Sequence, residues 1–305
     1  FGGANMFQAN QSFEQFVVVT GGEASWWADR GWLFGMILAA LVGLVILGGI
    51  RSIARVTSKI VPAMAVIYVS AALLIIGMNL GELPAAFALM FSSMFGIESV
   101  AGGALGVLAV GFQRAAFSSE AGVGSAAIAH SAVQTDRPVA EGLVALYEPL
   151  IDTVIVCTLT ALVIILTGVW DADSGISGVE LTSRAFGSVL DGFPVVLAIA
   201  VILFAYSTMI AWAYYGMKAW TYLFGRSPAK ELAYKLLFLV FVVVGTTMEL
   251  GAVIGFSDAM ILAMAFPNLL GMLFLLPEVR RDLQVYWQDL AGGIIVPRRR
   301  VAPPH

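Results

Sequence analysis

Long apolar runs return again and again along this chain, separated only by short polar intervals. About 20 apolar residues in a helix cross the hydrocarbon core of a bilayer, and runs of that length have few other homes. Candidate spans fall at residues 32–50, 60–78, 101–133, 143–169, 193–217, 236–253 and 257–276. An incomplete span ends near residue 20, and its Asn5, Gln8, Asn10, Gln11 and Glu14 make it the most polar of the set. A shorter stretch, 83–97, is bounded by Glu82 and Glu98 and predicts an interfacial or re-entrant helix. Hydrophobic residues make up 60% of the chain and charged ones 12%. Soluble domains sit nearer 45–50% and about 25%, so this chain lacks the polar groups to cover a surface in water. The expected fold is an all-α polytopic membrane protein, with a transmembrane domain over residues 1–279 and a polar tail over 280–305.

Charge placement predicts the orientation. Arg51, Arg55 and Lys59 occupy one expected loop, Lys218, Arg226 and Lys230 another, and Arg280, Arg281 and Arg298–Arg300 follow the last span. The span order puts all of them on one side, which the positive-inside rule makes cytoplasmic. Glu82, Glu98, Asp171, Asp173 and Glu180 collect on the other. The C-terminus is therefore expected inside a multi-pass protein of the plasma membrane. A net charge of −4 gives nucleic acid no electrostatic footprint. Cys157 is the only cysteine, and His130 and His305 are the only histidines, so neither a disulfide framework nor a clustered metal centre is expected.

One span carries "FSSEAGVGSA", residues 117–126. Glycines and hydroxyls weaken helix propagation, and Glu120 facing lipid would cost a few kcal/mol. Together they predict a helix broken near mid-membrane, with the break turned to the protein interior. Such a break offers free N–H groups to a carboxylate and free carbonyls to a cation. Small residues also serve close helix packing, and that alternative stands for Gly122 and Gly124 taken alone. A Glu120–Arg114 salt bridge is a further alternative, although six residues is poor helical spacing.

A second constellation is "FAYSTMIAW", residues 204–212. Ser207 and Thr208 follow Phe204 by three and four positions, so two hydroxyls and a backbone carbonyl fall within one turn. Hard oxygen ligands suit a small hard cation such as Na⁺; the alternative is bonding to i−4 carbonyls. Trp212 either closes a cavity or belongs to an interfacial aromatic belt. Asn5, Gln8 and Asn10 either reach a ligand or bond between helices. Glu148, Pro149 and Asp152 predict a polar kink or gate, His130 a helix-end partner, and Asn268 a partner for the carbonyl that Pro267 frees.

The stretch "GFQRAAFSSEAGVGSAAIAHSAVQTDRP" resembles the signature of the alanine/glycine–sodium symporter family, near G-x-x-R-x-x-F-S-N-E-A-G-x-G-S-A-P-I-A-H. "GANMFQANQ", "VILGGIRSIARV", "DTVIVCTLTALVIILTG", "FAYSTMIAWAYYG" and "AFPNLLG" agree with it, so the resemblance covers nearly the whole chain. Ser119 departs from the usual Asn, and Ala127 from the usual Pro. The resemblance implies a leucine-transporter fold of two inverted five-helix repeats. It also implies that an extra N-terminal helix and the first two core helices, with the family's other unwound segment, are missing here. The implied function is symport of Na⁺ with a small neutral amino acid, alanine or glycine, with no cofactor beyond the coupling ion. Implied substrate contacts are Asn5, Gln8, Phe117, Ser118, Ser119, Gly122, Gly124 and Trp212; implied sodium ligands are Phe204, Ser207 and Thr208.

Two other classes compete. An intramembrane serine hydrolase would pair Ser125 with His130, yet five positions on one helix set side chains about 140° apart. A channel would need a ring of charges or carbonyls about an oligomeric axis, and the sequence suggests none.

Overall fold

A computed structural model describes residues 2–95, 103–170, 176–189 and 192–295. Glu98, Asp171, Asp173, Arg298–Arg300 and His305 lie outside these residues, as do the adjoining parts of the 83–97 and 101–133 stretches. Helices account for the regular structure: α1 (Ala4–Val19), α2 (Gly31–Leu47), α3 (Gly49–Met78), α4 (Leu83–Phe95), α5 (Gly103–Ser119), α6 (Ser125–His130), α7 (Pro138–Ala145), α8 (Tyr147–Pro149), α9 (Cys157–Thr167), α10 (Gly178–Gly187), α11 (Phe193–Phe224), α12 (Pro228–Gly245) and α13 (Leu250–Ala291). Between α8 and α9 the backbone is a π-helix over Leu150–Val156, so Pro138–Thr167 runs as one rod. By length and composition α3, the Pro138–Thr167 rod, α11 and α13 can each cross a membrane. The chain is an all-α, multi-pass membrane protein.

Several boundaries move from their expected places. Arg51, Arg55 and Lys59 stand on the first turns of α3 rather than in a loop, because Gly48 and Gly49, the latter at φ +68°, make a tight elbow directly after α2. The expected 236–253 span stops at Gly245, and α13 begins at Leu250. That stop is held from outside: the Asn10 side-chain amide donates to the carbonyls of Gly245 (3.1 Å) and Met248 (2.8 Å). Helix C-termini leave carbonyls without intrahelical partners, and α1 supplies the missing donor. Gly245 is also where α1 and α12 touch, since a Cβ there would lie 2.6 Å from the Met6 backbone. At the far end α13 continues through Arg280 and Arg281 to Ala291, so the start of the expected tail is helical.

α1 is the central post. Asn5, Asn10, Gln11, Ser12 and Gln15 are all buried in it. The hydrophobic effect gives helices little reason to associate where lipid is as apolar as leucine, so packing and interhelical hydrogen bonds do that work, and these amides tie α1 to its neighbours. Asn5 donates to the Phe238 carbonyl on α12 (3.0 Å), and Gln15 to Ser183 on α10 (3.1 Å) and the Pro194 carbonyl on α11 (3.2 Å). Gln11 accepts from the Val179 N–H at 2.9 Å.

Two apolar clusters flank this post. One gathers Leu38, Val42, Met209, Ile210, Phe238 and Val242 from α2, α11 and α12. The other gathers Tyr68, Ile75, Val163, Phe186 and Leu197 from α3, α9, α10 and α11. Outward faces stay apolar as well: Leu44, Phe112 and Phe274 are each at least 73% exposed, as side chains facing acyl chains are.

Candidate functional site: the interrupted helix

α5 ends at Ser119 and α6 begins at Ser125, so the expected break spans residues 120–124. Glu120 has φ +57°, and is the one non-glycine with positive φ among the described residues. Gly122 and Gly124 follow at +83° and +97°. A non-glycine in the left-handed region costs about 1–2 kcal/mol, so surrounding contacts must hold Glu120 there. One is in place: Trp212 on α11 donates its indole N–H to Glu120 Oε1 at 2.5 Å. Arg114 does not pair with Glu120; it forms an ion pair with Asp258 on α13, which also accepts from Gln113 at 2.6 Å.

Asn268 supports the far side of the break. Its amide donates to the Gly122 carbonyl at 2.9 Å, rather than to a carbonyl freed by Pro267. A Cβ on Gly124 would meet the Asn268 Oδ1 at 3.0 Å, so Gly124 answers both to its φ and to this close approach. α6 is only six residues long. Its N-terminal dipole is correspondingly short.

A cavity of about 90 Å³ opens beside the break, lined by Gln8, Phe117, Ser118, Glu120, Thr208 and Trp212, with Ala4 and Ile261 completing the wall. Sites for drug-sized molecules run to roughly 300–1,000 Å³, so this one suits a solute of a few heavy atoms. Phe117 is braced edge-on by Phe7, with ring centroids 5.0 Å apart. The Gln8 amide and the Thr208 hydroxyl have no hydrogen-bond partner among the described residues and face the cavity free. Ser118 is engaged: it donates to Asp152 Oδ2 at 2.5 Å and accepts from Thr153 at 3.3 Å. Both partners sit in the π-helical segment, so two irregular backbones face each other across Ser118. Asp152 belongs with the site's surroundings, a role signalled beforehand only by Pro149 and two carboxylates in an apolar run.

The remaining candidates lie elsewhere. Asn5 is turned to α12, and Ser119 bonds back to the Ala115 carbonyl at 3.2 Å. Gly122 and Gly124 shape the break without lining the cavity. Ser207 is buried, donating to the Phe204 carbonyl at 2.9 Å beside Met64. Of Phe204, Ser207 and Thr208, Thr208 alone reaches the cavity. His130 places Nδ1 2.6 Å from Glu141 and Nε2 3.1 Å from Glu148, so both ring nitrogens are occupied and no Ser125–His130 dyad forms.

Fold and site together define a polytopic α-helical membrane protein with a small polar cavity at a broken helix. The family model described as the sodium:alanine symporter family matches residues 1–297, and the chain belongs to that family. It is similar to the sodium/alanine symporter AgcS of Methanococcus maripaludis, 37% identical over 90% of this chain and 59% of that protein. It is also similar to the probable sodium/glutamine symporter GlnT of Bacillus subtilis, 34% identical over 85% of this chain and 54% of the relative. A sodium/proton-dependent alanine carrier protein of Bacillus sp. PS3 is 32% identical, over 85% and 62%. These names describe transporters, not enzymes. The chain spans less than two thirds of the length of each of these curated relatives.

Proposed function

We propose that this protein carries a small neutral amino acid, alanine or glycine, across the plasma membrane together with Na⁺, by alternating access around the interrupted helix. The observation that carries this reading is the cavity at the break, where a free amide, a free hydroxyl and a carboxylate converge between two aromatic walls. Glu120 favours an ammonium group, the Gln8 amide can donate to a carboxylate, and Phe117 with Trp212 leaves room for a short side chain. Thr208 offers an uncommitted oxygen to Na⁺. Ser207 and the Phe204 carbonyl are bonded to each other outside the cavity, so Thr208 is the residue of the three on which this reading rests. Family membership supports the same reading, and the small cavity favours alanine or glycine over a substrate of glutamine's size. The basic residues on α3 and near the α11–α12 turn support a cytoplasmic C-terminus.

The test is uptake of labelled alanine by cells or vesicles containing the full-length protein, with and without an inward sodium gradient. Saturable uptake that collapses without sodium is expected. Equal uptake in both conditions removes the coupling, and flux that does not saturate points to a pore instead.

A further inference from the structure

A second and larger cavity lies away from the break, where the α2–α3 elbow meets α11 and α12. It holds about 300 Å³. Ile46, Ile50, Ile53 and Met217 form an apolar floor, and Lys218, Arg226 and Lys235 converge on it against a single carboxylate, Glu231. None of the three cations makes an ion pair among the described residues. Lys218 stands over the Tyr214 ring, 5.0 Å from its centroid, which steadies its stem without neutralising it. Lys218 and Arg226 are exposed and Lys235 half-buried, so all three are open to an anion at the mouth of the cavity, which would offset their excess of positive charge.

The location says which anion fits. The elbow at Gly48 and Gly49 and the α11–α12 turn lie at helix ends, where a bilayer places its headgroups. Arg51, Arg55 and Lys59 on α3 follow the elbow directly. Ile50 is 41% exposed, so the apolar floor continues onto the outer face of the bundle. Basic recesses between membrane helices bind acidic lipid headgroups, and an aliphatic floor adds affinity only for a ligand with an acyl chain.

We propose that this cavity binds the phosphate of an anionic phospholipid through Lys218, Arg226 and Lys235, with the lipid's chains lying against Ile46, Ile50 and Ile53. α11 also carries Thr208 and Trp212 of the cavity at the break, so a lipid seated here holds the helix shared by both cavities. The proposal does not depend on what the protein transports.

The purified protein, delipidated in a neutral detergent, is titrated with phosphatidylglycerol or phosphatidylcholine, and bound lipid is counted by native mass spectrometry. Phosphatidylglycerol should bind more tightly than phosphatidylcholine. The Lys218→Gln, Arg226→Gln, Lys235→Gln variant should bind phosphatidylglycerol roughly tenfold or more weakly, each cation near an anionic headgroup giving a several-fold gain. Arg280→Gln with Arg281→Gln, which removes charge from α13, should leave that affinity unchanged. Equal binding of the two lipids by the unaltered protein overturns the proposal, whether or not the triple variant folds. So does full phosphatidylglycerol affinity in a folded triple variant, or displacement of the lipid by millimolar inorganic phosphate, which would mark a site for a free anion.

Discussion

Trp212 and Glu120, 92 positions apart in the chain, are joined by an indole N–H donating to a carboxylate at 2.5 Å. The bond spans from α11 to the one non-glycine residue with left-handed backbone among those described, so it fixes the break and closes one wall of the cavity at once.

Trp212→Phe keeps a ring and removes the donor. A buried acceptor left without its partner costs about 1–3 kcal/mol, so alanine uptake should fall about tenfold or more. Glu120→Gln should lower uptake as well, and the double variant should be little worse than either single one. Additive losses in this cycle would mean that the two residues act separately.

Asn268→Ala removes the donor to the Gly122 carbonyl and should lower the thermal midpoint of the purified protein, at a cost of about 1 kcal/mol. Gly124→Leu should be more severe, because φ +97° and the nearby Asn268 oxygen both oppose a side chain. Transport at the unaltered rate in the leucine variant would mean that the break is not needed.

His130 connects α6 to the rod that begins with α7, through Glu141 and Glu148. Only a doubly protonated ring donates to both carboxylates, so the link is complete in acid and weakens as the ring loses its proton. Uptake by the unaltered protein should therefore vary as the ring loses its proton, a change that histidine ordinarily undergoes between about pH 5 and 8. His130→Gln should flatten that profile; an unchanged profile would assign the pH response to another group.

Thr208→Ala deletes the uncommitted hydroxyl of α11. The sodium concentration for half-maximal uptake should rise several-fold, while the apparent affinity for alanine at saturating sodium changes less. The reverse pattern would place Thr208 on the amino acid instead of the ion.

What the sequence showed of this molecule divides along physical lines. The apolar runs and the break at residues 120–124 were legible because each is set by local chemistry: span length in one case, glycines and a carboxylate in hydrocarbon in the other. Partners chosen by tertiary packing were not. Asn5 and Gln8 lie three apart on α1, yet one is spent on the Phe238 carbonyl and the other faces the cavity. Ser207 and Thr208 are neighbours about 100° apart on the helix, and Thr208 alone of the two lines the cavity. The end of α12 at Gly245 depends on Asn10, far away in the chain, so local hydropathy carried the expected span past it. A π-helical turn leaves no periodic mark of its own, and Pro149 with Asp152 was the sole hint of it.

The central claim is that alanine and sodium meet in the cavity beside the break. Ser118→Cys, combined with Cys157→Ser and with any cysteine elsewhere in the full-length protein also changed to Ser, puts a single reactive group on that cavity's wall. In a variant that still takes up alanine, labelling by a small thiol reagent should slow markedly when alanine and sodium are both present, and much less with either alone. Labelling at the same rate with and without the pair would contradict the account.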